Sequence, residues 1–185
     1  QQAIRVLAKI YDWYTSGRTD VLPNKETYAA VLRSFANNGK ADSPKIVRKL
    51  IEHMQKLSET YPSITPDYNC HNAYIAALLD STNRGHLSSP NGARLANDWV
   101  DEMMTSPDKE VRHDTWTFMM VLWAWGRSGD IDIVERAVTL VAQLEADHEE
   151  SGCSAKTQPN SNTYNCLIAC YGRSRLTSKA TRALD

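Results

Sequence analysis

The sequence predicts an all-α protein, a right-handed α-solenoid of helix-turn-helix hairpins. Three observations predict it. A short opening motif recurs at intervals of 43 to 47 residues, each copy leads into an apolar stripe at helical spacing, and a second such stripe follows after a turn signal. A hairpin of this size cannot bury its own apolar face, so neighbours must stack, and the right hand is that of comparable arrays.

The openings are Pro23-Asn24-Lys25-Glu26-Thr27-Tyr28, Pro66-Asp67-Tyr68-Asn69-Cys70-His71, His113-Asp114-Thr115-Trp116-Thr117-Phe118 and Pro159-Asn160-Ser161-Asn162-Thr163-Tyr164. Behind them run four first-helix stripes: Tyr28, Val31, Leu32, Phe35; His71, Tyr74, Ile75, Leu78; Phe118, Val121, Leu122, Trp125; and Tyr164, Leu167, Ile168, Tyr171. Small residues fill one neighbouring column with Ser34, Ala77, Ala124 and Cys170, and another with Ala36, Gly126 and Gly172, which permits close helix packing. Leu79 breaks the second column. Gly39 and Gly129 mark where first helices stop.

Second helices carry Ile46, Leu50, Ile51, Met54, then Leu95, Trp99, Val100, Met103, then Leu140, Val141, Leu144. Ser43-Pro44 and Ser89-Pro90 are natural starts, with Ser as a cap and Pro in the first turn. Ala3, Val6, Leu7 and Ile10 align with this second helix, and Lys179 begins another. The organisation expected is therefore 1–22 as a truncated second helix plus linker, hairpins at 23–65, 66–112 with a long internal turn, and 113–158, and a truncated hairpin at 159–185. On this reading the chain is a piece of a longer protein whose cut ends expose apolar surface. Ser81 to Asn91, Lys56 to Thr65 and Glu145 to Gln158 are the irregular linkers, the last as polar as a solvated loop.

Composition bounds the function. With 21 basic and 22 acidic residues in 185 the net charge is -1, so a polyanionic partner has to be met by a local surface. The longest apolar run, Phe118 to Trp125, is far shorter than the ~20 residues of a membrane helix, so no membrane partner is expected. Four cysteines make no disulfide scaffold and no Asn-x-Ser/Thr acceptor occurs, which favours a reducing compartment. Cys166 and Cys170 share a helical face, but no second pair stands at zinc spacing, so two small core thiols are expected rather than a metal site. The five histidines are scattered, with His71 a packed ring in the aromatic column. No phosphate loop, nucleophile elbow or paired carboxylate is legible, so no catalytic residue, cofactor, metal or small-molecule substrate is assigned and the chain is not expected to be an enzyme. An effector domain outside the chain would escape this reading.

The Pro-Asn-x-x-Thr-Tyr opening, the stripe that follows it, Arg127-Ser128-Gly129, and a second helix ending in Met resemble the pentatricopeptide repeat (PPR) family. The resemblance spans nearly the whole chain and is strongest at Pro159 to Ser174 and Pro23 to Gly39. Family repeats are about thirty-five residues, and these are longer by a linker. The Trp-Leu-Gly-Tyr spelling of tetratricopeptide arrays is missing, whereas Thr163-Tyr164-Asn165 fits the PPR opening.

The resemblance implies single-stranded RNA binding, one base per repeat, in RNA processing, stability or translation in a mitochondrion or chloroplast. It implies that the residue after each first-helix aromatic acts with the residue before the next opening motif. The base-reading pairs are then Ala29 with Asp67, Asn72 with Asp114, and Met119 with Asn160, while Asn165 pairs beyond the chain end. Asn72 with Asp114 matches the family's combination for uracil. A base-sandwiching column would hold Glu26, Asn69, Trp116 and Asn162, of which Trp116 is the strong stacking platform. A phosphate column would hold Asn37, Asp80, Arg127 and Arg173, where the two arginines fit and Asp80 repels.

Other readings stay open. The asparagines can simply cap helices, the arginines can be solvated cations favoured by the helix dipole, and Trp123 can pack on a neighbouring hairpin. A protein-binding helical-repeat scaffold without RNA readout is the alternative function.

Overall fold

The computed structural model describes residues 2–18, 23–106, 115–128, 131–150 and 158–173. These form eight α-helices: α1 (Gln2–Thr15), α2 (Lys25–Ala36), α3 (Ser43–Ser58), α4 (Tyr68–Asn83), α5 (Ser89–Thr105), α6 (Thr115–Ser128), α7 (Ile131–Glu150) and α8 (Ser161–Arg173). No strand occurs among the described residues, so the fold is all-α. None of these helices is long and apolar enough to cross a membrane.

The helices fall into two compact units, residues 1–86 and 87–185. In the first, α1 packs on α2, α2 on α3, and α4 on both α2 and α3; in the second, α5 packs on α6, α6 on α7, and α8 on both α6 and α7. Each unit therefore repeats one order of helices. The boundary falls inside the expected 66–112 hairpin.

The same residue columns build both cores. Tyr28, Val31, Leu32 and Phe35 of α2 are buried, as are Phe118, Val121, Leu122 and Trp125 of α6, and Ile51, Met54, Leu140, Val141 and Leu144 supply the facing second helices. Burial of each such side chain contributes roughly 1.5–3 kcal/mol relative to exposure. In the second unit Trp125 is 1% exposed and its indole Nε1–H donates to the Ala93 carbonyl of α5 at 3.1 Å, so a large apolar ring is buried with its one polar atom satisfied. In the first, Tyr28 sets its hydroxyl 3.2 Å from His53 Nδ1 of α3, and the Tyr11 ring of α1 lies 5.8 Å from the His53 ring.

Helix ends follow the capping rules with two corrections. Asn24, Asp67 and Asn160 each precede a first helix and accept from its exposed N–H groups, at Thr27 (2.9 Å), Cys70 (3.2 Å) and Asn162 (2.9 Å). Ser43 and Ser89 are not caps. They are the first helical residues, with Pro44 and Pro90 behind them, and Ser43 Oγ instead donates to Asn38 Oδ1 at 2.6 Å. The expected loop from Glu145 is likewise helical as far as Glu150, because Glu145, Ala146 and His148 continue an unbroken run of helix-compatible residues. The linker expected at Lys56 to Thr65 is shorter, since α3 runs to Ser58, and its 3₁₀ turn Pro62–Ile64 buries Ile64 completely.

Gly39 closes the α2–α3 turn with φ +72°, a conformation open to glycine at no Cβ cost. Its N–H donates to Asp80 Oδ2 at 3.0 Å, its carbonyl lies 3.1 Å from His86 Nε2, and Arg84 Nε donates to Asp80 Oδ1 at 2.9 Å. Asp80, placed by the sequence in a phosphate column, is thus engaged in holding the turn of the preceding hairpin.

Candidate functional site

The site is built where successive first helices meet. Gly126 of α6 lies against Cys170 of α8 so closely that a Cβ would stand 3.2 Å from the Cys170 sulfur, and Cys170 Sγ–H donates to the Leu122 carbonyl at 3.1 Å. The same columns of the first unit hold Ala36 and Ala77, both buried. The small residues thus bring first helices together. We expect Gly126→Ala to be destabilising alone and tolerated beside Cys170→Ala, with a coupling of about 0.5–3 kcal/mol in a double-mutant cycle read by urea denaturation.

Above this contact is an open groove of about 300 Å³, lined by Met119, Leu122, Trp123 and Gly126 of α6 and by Asn162, Asn165, Cys166 and Ala169 of α8. Trp123 is 41% exposed and Trp116, two turns earlier on the same face, is 49% exposed. Trp123 thus stands at the edge of the α6–α8 contact, partly covered and partly open. Asn162 and Asn165 are exposed and Met119 is half-buried. Each amide carries a donor and an acceptor, and each indole a flat apolar face.

Equivalent positions between α2 and α4 are Ala29, Leu32, Arg33, Ala36, Asn69, Asn72, Ala73 and Ala76. The two asparagines recur and Arg33 replaces Trp123. Asn69 and Arg33 are exposed, Ala29 is half-buried, and Asn72 is 5% exposed.

The structure brings Met119, Asn162 and Asn165 into one groove, with Trp116 further along the α6 face. Asp67 is drawn instead into an ion pair with Lys25 Nζ at 3.2 Å, one turn before Ala29, besides its capping bond. Burial pushes its pKa up, but the Cys70 N–H, the Lys25 ammonium and the Asn69 amide outweigh this and hold it below the usual value. Asn160 accepts from two backbone N–H groups of α8. Asp114 lies outside the described residues, as do the side chains of Arg127 and Arg173, which fall in the last turns of α6 and α8 as backbone positions.

Sequence reasoning missed the Trp123 face and Arg33. The signal was present: Trp116 and Trp123 are seven residues apart and so share a helical face, and Arg33 falls in the Trp123 column.

Two thiols are quiet. Cys70 is 1% exposed and burial pushes its pKa up to about 12, and burial also raises that of Cys166, so neither is a thiolate at neutral pH, while Cys170 is 1% exposed. No group of His, Cys, Asp or Glu with the geometry of a metal site occurs among the described residues. A comparison with protein-family models and with curated proteins finds no match to this chain.

Proposed function

We propose that the chain is an irregular PPR-like solenoid that binds single-stranded RNA on the row formed by its successive first helices, in organellar RNA processing, stability or translation. One observation carries the reading. In both units two first helices pack side by side with asparagine at the same two aligned positions, and three of the four, Asn69 in one unit and Asn162 and Asn165 in the other, are exposed, while Asn72 is buried. Exposed amides at aligned positions of packed first helices suit the edges of unstacked bases, which offer donors and acceptors at regular intervals. The helix order shared by the two units supports a repeat of helical hairpins, and on this reading 23–65, 66–112 and 113–158 are the whole repeats.

On this reading Ala29, Met119 and Asn165 face bases together with Asp67, Asp114 and Asn160, Trp116 stacks, and Arg127 and Arg173 meet phosphate, whereas Asn72, 5% exposed, is packed in the core and does not reach a base. Affinity for a random-sequence single-stranded RNA should then fall steeply with salt. Arg127→Ala with Arg173→Ala should flatten the plot of log affinity against log salt by about 0.7 for each phosphate that is no longer neutralised. A slope unchanged in the double variant would oppose the reading.

A protein-binding scaffold is the second reading, favoured by the exposed indoles of Trp116 and Trp123 on one face of α6. Binding to such a partner would survive both high salt and the arginine substitutions.

A further inference from the structure

We infer that Trp123 is a nucleobase-stacking residue in the α6–α8 groove, and that Arg33, at the matching position of α2, meets phosphate. This rests on the RNA reading above and goes beyond it, since Trp123 is none of the residues that the resemblance assigns to a base or a phosphate.

The groove sets the chemistry of its occupant. Trp123 keeps 41% of its surface exposed while lining a groove with Met119, Leu122 and Ala169, and Trp116 on the same face of α6 is 49% exposed, so the two indoles make the kind of exposed apolar patch that marks a binding surface. The α8 wall is different, because Asn162 and Asn165 place two side-chain amides across from the indole. An apolar plane facing a pair of donor-acceptor groups suits a flat heteroaromatic whose face is apolar and whose edge is polar. An aliphatic side chain would leave both amides without partners, which costs roughly 1–3 kcal/mol for each group so buried. A nucleobase meets both demands at once, and at about 300 Å³ the groove is at the small end of ligand pockets. The occupant is therefore a base of single-stranded RNA rather than an apolar peptide.

The first unit differs at the matching positions. Between α2 and α4 it has exposed Asn69 and buried Asn72 at the asparagine positions, Ala29 for Met119 and Arg33 for Trp123. Arg33 is exposed in the last turn of α2, where it offers a phosphate a fork of N–H donors. Contacts of this kind carry little base information and strong salt dependence, while stacking carries the reverse.

The test uses the full chain with fluorescein-labelled oligouridine and oligoadenosine, an abasic oligonucleotide of equal length, and the variants Trp123→Ala, Trp123→Phe and Arg33→Ala, with binding read by anisotropy over a salt series. Circular dichroism of each variant checks the fold, and Trp123→Phe keeps a ring in place should the alanine variant unfold. Trp123→Ala is expected to weaken binding of the base-bearing strands roughly 5- to 100-fold at unchanged salt slope, to leave the abasic strand unaffected, and to be largely rescued in Trp123→Phe. Arg33→Ala is expected to weaken all three strands alike and to flatten the slope by about 0.7. If the parent binds RNA but Trp123→Ala binds it equally well, or weakens on the abasic strand to the same degree, the stacking role is wrong while the RNA reading stands. If the parent binds none of the strands, both fall.

Discussion

Replacing Trp125 by alanine is expected to destabilise the second unit by about 3–5 kcal/mol, the usual range for an aromatic removed from a packed core. The side chain is 1% exposed, so almost all of its transfer free energy is at stake, and the cavity left behind lies where α5 meets α6. Trp125→Phe separates the contributions. It fills most of the volume, as Phe35 does in the matching column of α2, and loses mainly the bond to the Ala93 carbonyl, with an expected cost of about 0.5–1.5 kcal/mol plus a smaller packing loss. Urea denaturation followed by circular dichroism measures both, with the midpoint moving and the slope held. A Trp125→Ala midpoint within error of the parent would show that this column does not form the core.

Acid should unfold the first unit earlier than its carboxylates require, and His71 is the reason. The ring is 5% exposed, and burial lowers its pKa to about 4 against 6.5 for an ordinary histidine, the charge of Asp67 opposing the shift only in part. Between these values the unfolded chain binds a proton that the folded chain does not. Stability from this group is therefore complete above pH 6.5 and falls progressively as the pH drops towards 4, by about 3 kcal/mol in all. Asp67, whose pKa is lowered, loses its contribution in a separate window below pH 3.8. His71→Phe keeps a ring in the column that holds Tyr28 and Phe118 and should abolish the loss between pH 6.5 and 4. Denaturation midpoints at pH 7, 5.5 and 4 for the two proteins check this, and parallel pH profiles would contradict it.

The helices were legible because their apolar stripes repeat at a spacing that only an α-helix satisfies. Tyr28, Val31, Leu32 and Phe35 read as one face and are buried as one face. Tyr164 and Ile168 read identically and yet are each 41% exposed, because local periodicity states which face is apolar and not what covers it. The helix expected from Lys179 lies outside the described residues. Turn chemistry was legible at Gly39, whose positive φ glycine supplies, but the clamp by Asp80, Arg84 and His86 joins residues some forty apart, which spacing within a helix cannot reveal. Ile64 was hidden in a polar stretch, where a single buried residue makes no pattern.

The candidate site divides in the same way. Periodicity aligned Asn72 with Asn165, but it could not tell that one is 5% exposed and the other open to solvent. Nor could it foresee that Asp67 is paired with Lys25, because that pairing joins two helices. The groove owes its form to Gly126 meeting Cys170, and only the packed helices show which small residue faces which.

The most direct measurement of the central claim is selection from a random single-stranded RNA pool at fixed, near-physiological salt, with the parent and with an Asn162→Ala, Asn165→Ala variant. Neither asparagine side chain caps α8, a task that falls to Asn160, so the variant should keep its fold. The account predicts that the parent enriches a short motif and that the variant loses base preference at one position of it while retaining the others. A parent that enriches no motif, and whose retention of RNA is the same at low and high salt, would contradict it.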